Sequence, residues 1–309
     1  MREIKKVAVI GGGLIGMSWA SLFLARGRQV VVIDPRAEVE SELHTFAREA
    51  WPMLTALELT TTDDVQTPQF GTEIGGLTGV DFVTECGPDR IEVKHAMIGE
   101  LESVIDPDVI ISSSTSSLLP SDIQSAAKYP ERVLVGHPMN PPHMVPMVEL
   151  VGGRLTSEQA LRDAEEFYVA MKRIPIRVRK EVVGHLANRL TSALYREAVG
   201  IVEQGIGSVS DVDTAITYGP GMRWALMGPH LTYHLGGGSG GYRHYLDHLG
   251  PTQEARWKEL SAPSLTPDLK EKLIAGVDNE LEKQDVSTLT GRRDQALVEL
   301  FQLKKTYGF

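Results

Sequence analysis

The sequence is nearly free of cysteine, with one, Cys86, in 309 residues. That excludes a disulfide framework and a zinc site built on several thiolates, and it points to a reducing compartment, the cytoplasm. Positive charge is also short: 31 Lys and Arg stand against 41 Asp and Glu, a formal net charge of −10. Such a balance gives no basic footprint for nucleic acid or an anionic membrane surface. No apolar run approaches the ~18–20 residues of a membrane span. The first residues pass from Lys5 and Lys6 straight into a buried-strand pattern, which leaves no room for a cleaved signal. Internal repeats and low-complexity tracts are missing as well. What remains is ordinary globular composition, 42% hydrophobic and 23% charged, in a length suited to about two domains.

Short apolar runs alternate with longer helical patterns over the first 180 or so residues. Val7 to Ile10, Val30 to Ile33, Asp81 to Thr84, Val109 to Ser112, Val133 to Gly136, Met147 to Val151 and Ile174 to Val178 read as strands. Between them, Leu14 to Arg26, Glu92 to Val104 and Ser157 to Lys172 read as helices. This alternation predicts βαβ units and a mostly parallel sheet covered on both faces. After Lys180 the strand signals stop, and helical periodicity takes over at Val182 to Gln204, Ser210 to Tyr218, Asp268 to Gln284 and Leu289 to Thr306. The expected architecture is α/β: a Rossmann-like domain over residues 1–181, then a smaller all-helical domain over 182–309.

Gly11-Gly12-Gly13-Leu14-Ile15-Gly16 fits G-x-G-x-x-G and lies where a predicted strand gives way to a predicted helix, the context that makes the pattern informative. Gly11 allows the tight turn, Gly13 the approach of a pyrophosphate, and Gly16 the packing of helix on sheet; Leu14 and Ile15 complete the cradle at the helix start. Asp34 ends the next strand, 18 residues past Gly16. An acid there accepts from a ribose 2′-hydroxyl and repels a 2′-phosphate, so the expected cofactor is NAD rather than NADP, with the adjacent Arg36 weakening the preference. A strand–turn–helix with no ligand is the alternative.

Chemistry requires a second constellation. Gly136-His137-Pro138-Met139-Asn140-Pro141-Pro142 ends a strand and enters a proline-rich turn, and an extended pattern resumes at Met147 to Leu150. If the chain folds back near His143, His137 falls opposite Glu149. A carboxylate on one imidazole nitrogen fixes the tautomer and raises the basicity of the other, which suits proton removal from an alcohol. A structural histidine paired with a strand-end glutamate is the plainer reading. Ser112 to Ser117 follow a buried strand at the carboxyl edge, where open α/β sheets bind ligands. Asn188 lies off the apolar stripe of its helix, facing either a cleft or solvent.

In their order, GGGLIG, SSTSSL, GHPMNPP with VELV, and ANRL resemble the L-3-hydroxyacyl-CoA dehydrogenase superfamily over most of the chain. The resemblance implies His137 as general base, Glu149 as its orienting partner, and Ser116 and Asn188 as donors to the reacting oxygen. It places Asn140 beside His137 and implies a homodimer built through the helical domain. On the cofactor side it brings in Lys94 and Asp89, the latter one methylene shorter than the glutamate usual in such relatives.

Acyl-CoA enzymes of that superfamily carry a lysine-rich excursion between the second and third strands. Here no Lys or Arg occurs between Arg48 and Arg90. Without a cation to pair with CoA phosphates, a small free hydroxy acid is the expected substrate. The run from Tyr218 to Pro229, YGPGMRWALMGP, and GGGSGGYRHYLDHLGP after it are similar to the branch containing L-carnitine and L-gulonate 3-dehydrogenases. Arg223 is suited to a carboxylate clamp. Trp224, Tyr233, Tyr242, Tyr245 and Trp257 are suited to an ammonium, or are simply core aromatics. No metal site is expected at His230/His234 or His244/His248, because neither pair has a third ligand in a recognised pattern. The expectation is thus an NAD-dependent dehydrogenase of a small L-3-hydroxy acid. The alternatives are an L-3-hydroxyacyl-CoA dehydrogenase of fatty-acid oxidation and a non-catalytic NAD-binding protein.

Overall fold

The computed structural model describes residues 3–281 and 284–309. Eight strands form one sheet in the order β3-β2-β1-β4-β5-β6-β7-β8: β1 (Lys6–Ile10), β2 (Gln29–Ile33), β3 (Gln69–Gly71), β4 (Phe82–Glu85), β5 (Ile110–Ser113), β6 (Val133–Pro138), β7 (Met147–Gly152) and β8 (Ile174–Val178). Neighbours run parallel except β6 and β7, which are antiparallel. Strand order reverses between β1 and β4, leaving a crevice at their carboxyl ends.

Alternation along each strand divides the apolar residues between two cores. Val7, Val9, Val30, Val32 and Phe82 pack on one face, with Trp19, Phe23, Leu43, Trp51 and Phe167 from the helices α1 (Leu14–Ala25), α2 (Val39–Ala56) and α5 (Glu158–Ala170). Ala8, Ile10, Val31, Ile33 and Val83 pack on the other, with Ile98 and Leu101 of α3 (Ile91–Leu101) and Ile123 of α4 (Pro120–Ile123). Rings fill the first core: Phe82 stacks on Phe167 with centroids 4.1 Å apart, and Trp19 on Phe23 at 5.3 Å. Burial on both faces is what makes β1 and β2 continuous apolar runs.

The first compact unit ends at Arg189 and the second is Leu190–Phe309, so the division lies inside α6 (Ala187–Glu203). The expected boundary at 181/182 falls in the connection between β8 and α6. The second unit is helical: the rest of α6, then α7 (Val209–Tyr218), α8 (Pro220–Trp224), α9 (Pro229–Gly236), α10 (Gly241–Glu259), α11 (Pro267–Leu281) and α12 (Val286–Tyr307). Among its described residues the buried apolar side chains are few: Val199, Val202, Tyr245, Leu269 and Val298.

Two differences from the sequence reading have local causes. The helix expected from Val182 begins at Ala187, because Gly184 and His185 form a left-handed turn first, with φ of 78° and 49°. The strand β3 and the helices α2, α4, α8, α9 and α10 have no counterpart among the elements read from the sequence. β3 is a three-residue edge strand, and α10 carries Gly250 and Pro251 in its interior, so neither shows a clean period. The predicted end of α11 at Gln284 crosses 282–283, outside the described residues.

Candidate active site

The turn from β1 into α1 shows why the glycines stand where they do. Gly11 has φ 102°, and a Cβ there would come within 2.7 Å of the Cys86 carbonyl oxygen. A Cβ on Gly16 would lie 1.8 Å from the Gly11 oxygen, so the helix approaches the turn only without one. Gly13 differs: it caps α1 with no side-chain bond, and a Cβ there would meet nothing within 4 Å. The free N–H groups of the first helical turn, Leu14 and Ile15 among them, therefore open onto space beside positive dipole ends. A cavity of about 700 Å³ adjoins them, lined by Gly11, Gly13, Asp34, Arg36 and Met97 among others.

Asp34 directly follows β2 and lines that cavity. Its Oδ2 accepts the Gly12 N–H at 2.8 Å, and its Oδ1 accepts the N–H and Nε–H of Arg36, both at 3.0 Å. Burial alone raises its carboxyl, but the bonds from Arg36 and Gly12 outweigh that and hold it below the ordinary carboxylate range. An open helix start, an unobstructed Gly13 and an acid at the end of β2 together fit an adenine dinucleotide.

Sequence reasoning passed over Glu85, which sits at the end of β4 and is buried. It accepts from the Gly87 N–H at 2.6 Å, Ser113 Oγ at 2.6 Å and Lys94 Nζ at 2.8 Å. Lys94 also donates to the Gly87 carbonyl at 2.9 Å and stands 3.5 Å from Asp89. Its ammonium is engaged by protein acceptors, and through them it braces the loop that carries Asp89. Asp89 accepts from the Ser116 N–H and Oγ, both at 3.2 Å. Burial pushes the Asp89 carboxyl up, and bonds from Thr115 and Ser116 with the Lys94 charge bring it below its usual value.

A second cavity of about 400 Å³ lies alongside, and Ile15, Cys86, Ser116, His137, Asn140 and Asn188 all line it. The antiparallel pairing sets His137 opposite Glu149. Glu149 Oε2 lies 2.8 Å from His137 Nδ1, and Oε1 accepts the N–H groups of Leu186 at 2.7 Å and Ala187 at 3.0 Å. A carboxylate accepts only, so Nδ1 carries the proton and Nε2 keeps its lone pair. Burial pushes Glu149 up, but the bonds from His137, Ala187 and Leu186 leave it below its ordinary value, hence charged. Asn188 Nδ2 donates to the Ser116 carbonyl at 3.3 Å. The hydroxyl of Ser116 is turned to Asp89. Cys86, between the two cavities, is inert as a nucleophile: burial pushes its thiol up to about 12.

Two further histidines, given no role from the sequence, are buried in the same unit. His185 is fully buried, its ring 5.3 Å from that of His137 and its Nε2 3.4 Å from the Thr115 carbonyl. Burial, then the neighbouring His137, push its pKa down and keep it neutral. His143 Nδ1 lies 2.7 Å from the Ser18 hydroxyl, and the His143 N–H donates to Ser18 Oγ at 2.9 Å, pinning the turn after His137 to α1.

Residues 6–182 match the family described as 3-hydroxyacyl-CoA dehydrogenase, NAD binding domain, and residues 184–272 match its C-terminal domain. The chain belongs to the 3-hydroxyacyl-CoA dehydrogenase family. It is an NAD-dependent oxidoreductase, a 3-hydroxy acid dehydrogenase by class. Among curated relatives, L-carnitine dehydrogenase of Streptomyces coelicolor is 39% identical over 99% of this chain and 96% of its own length. L-carnitine dehydrogenase of Bacillus cereus is also 39% identical, over 99% of this chain and 94% of its own length. Among solved structures, an NAD+-dependent dismutase, 5-formyl-3-hydroxy-2-methylpyridine 4-carboxylic acid 5-dehydrogenase, superposes with a TM-score of 0.85 at 27% identity, covering 98% of this chain and 99% of its own.

Within the helical unit, Arg223 and Trp224 lie on α8, both exposed. Tyr233 stacks on Tyr245 at 4.5 Å with planes 11° apart, and Tyr242 lies parallel to Tyr245 at 6.0 Å. These rings face one another, whereas an ammonium cage needs faces that converge on one space. His230 Nδ1 meets the Tyr242 hydroxyl at 2.9 Å, and His234 Nδ1 accepts the Tyr242 N–H at 3.1 Å. Among the described residues no group of three or more His, Cys, Asp or Glu is placed to hold a metal ion, and no helix is long and apolar enough to cross a membrane.

Proposed function

We propose that this family member oxidises the 3-hydroxyl of a small free L-3-hydroxy acid of the L-carnitine kind to the 3-oxo acid, with His137 as the base. The contact between His137 Nδ1 and Glu149 carries the reading, because it leaves Nε2 bare in the same cavity that Ser116, Asn140 and Asn188 line. The substrate hydroxyl donates to Nε2 and gives up its proton there, and Glu149 stabilises the resulting imidazolium. Ser116 and Asn188 hold the reacting oxygen, Ser116 by turning from Asp89. NAD, when bound along Gly11 to Gly16 and Asp34, supplies the hydride acceptor. Asp89 and Lys94 support the cofactor side through Glu85.

A free acid is favoured over an acyl-CoA ester by the stretch from Arg48 to Arg90, which holds no Lys or Arg for CoA phosphates. The names of the curated relatives point to L-carnitine, with Arg223 as the carboxylate clamp and Trp224 and Tyr233 as the residues for the ammonium. The working unit is a homodimer formed through the helical unit, where Leu190, Leu194, Tyr195, Leu231 and Leu235 remain exposed beside a sparse core. The single free cysteine suits a cytoplasmic location.

The test is NADH formation at alkaline pH with L-carnitine, L-gulonate and L-3-hydroxybutyryl-CoA in parallel. Turnover on L-carnitine alone is the expected result. Turnover confined to the CoA ester would overturn the substrate assignment and the Arg223 clamp together.

A further inference from the structure

The carboxylate of Asp34 is saturated. Two oxygens offer about four acceptor positions, and four donors occupy them. Oδ1 takes the N–H and the Nε–H of Arg36, each at 3.0 Å, while Oδ2 takes the Gly12 N–H at 2.8 Å and Arg36 Nη2 at 3.3 Å. Two of these donors are main-chain groups fixed by the turns around them. The other two belong to one guanidinium, which is 51% exposed while Asp34 is 8% exposed. A ribose diol needs two acceptor positions on that carboxylate, and only the guanidinium can yield them.

Charge around the larger cavity sharpens the point. Among the described residues lining it, Arg36 is the sole Lys or Arg, set against Asp34, Glu73 and Glu100. A 2′-phosphorylated ribose entering there meets three carboxylates and one cation. An unphosphorylated ribose meets a carboxylate already occupied by that same cation. Arg36 therefore acts on the two dinucleotides with opposite sign.

We propose that Arg36 is a latch on Asp34 and a specificity-determining residue of the cofactor site. Its guanidinium holds the two carboxylate positions that a ribose diol takes, and it swings away when NAD or NADH binds. The cost of opening the latch lowers the parent's affinity for the unphosphorylated cofactor, while the same cation is the group that tolerates a 2′-phosphate. The present sequence thus discriminates less between the two cofactors than Asp34 would alone. The inference rests on Asp34 as the ribose acceptor.

The experiment is fluorescence titration of the full chain with NADH and with NADPH, in the parent and in Arg36→Ala and Arg36→Gln. The side chain is half exposed, so its removal opens no cavity, and the two variants guard against an accident of either. NADH is expected to bind Arg36→Ala about two- to five-fold more tightly, the range of an exposed ion pair, and NADPH more weakly. The NADH gain is expected to shrink as salt rises, since screening loosens the same pair in the parent. NADH binding unchanged or weakened in both variants overturns the latch, as does movement of both cofactors in one direction. Asp34→Asn separates the underlying assignment: if NADH affinity ignores that change, Asp34 is not the ribose acceptor and the latch falls with it.

Discussion

Lys94 and Glu85 form an ion pair in which each side chain is 1% exposed, with Nζ 2.8 Å from Oε2. The pair fastens α3 to the end of β4, just beneath the loop that carries Asp89. Removing one partner of a buried pair strands the other charge. Lys94→Met is therefore expected to lower unfolding stability by about 3–5 kcal/mol, measured by urea denaturation, with much of the loss recovered in Lys94→Met/Glu85→Gln. A single variant as stable as the parent would mean that the pair does not hold this loop.

Replacing the base separates chemistry from binding. His137→Gln and Glu149→Gln should each reduce turnover by roughly 10²–10⁴-fold with NADH affinity near the parent's, read by steady-state kinetics beside fluorescence titration. Gln at 149 keeps an acceptor for Leu186 and Ala187 but loses the charge that supports the imidazolium. Full activity in either variant would remove His137 from the proton step.

Three native carboxyls, Asp34, Asp89 and Glu149, lie below their ordinary values. A depressed native pKa contributes stability that is complete above the unfolded value and is lost as pH falls through the native one. The ordinary values are 3.8 for the two aspartates and 4.5 for Glu149, so the urea midpoint should begin to fall as pH drops below those values. Glu149→Gln should flatten that decline. A midpoint unchanged down to strongly acid pH would contradict the shifts.

Two glycines of one turn should fail differently. Gly16→Ala forces a Cβ against the Gly11 carbonyl, so melting temperature and NADH binding should both drop. Gly13→Ala has open space, so melting temperature should hold while NADH affinity falls, because the methyl stands where the pyrophosphate approaches. Equal behaviour of the two in a thermal melt would refute the distinction.

The parts of the site legible in the sequence are those fixed by local pattern. GGGLIG needs only its neighbouring strand and helix to be read, and the His137–Glu149 register follows from counting outward along a hairpin. Glu85 escaped because its importance depends on Lys94, Ser113 and Gly87 arriving from three different segments. His185 escaped because a left-handed backbone at a non-glycine residue leaves no periodic trace, and its value lies in contact with a ring 48 residues earlier in the chain. Ser116 and Asn188 were located by motif order, but their present partners, Asp89 and the Ser116 carbonyl, depend on side-chain rotation that no pattern encodes. In the helical unit, glycine and proline inside helices blur the period, and α8, α9 and α10 leave no readable pattern.

The one antiparallel pairing among the described strands has a consequence for how the molecule assembles. His137 and Glu149 meet across a short hairpin, whereas parallel neighbours need a crossover of a dozen residues or more, usually with a helix. Closing so short a loop is quick and sacrifices little chain entropy. The cofactor groove, in contrast, waits for Gly11, Asp34 and Glu85 to converge from separate βα turns. Proton-handling and nucleotide-holding parts thus arise from different ranges of contact along the chain. Loops that meet a new substrate can change while the hairpin keeps its register and the imidazole its orientation.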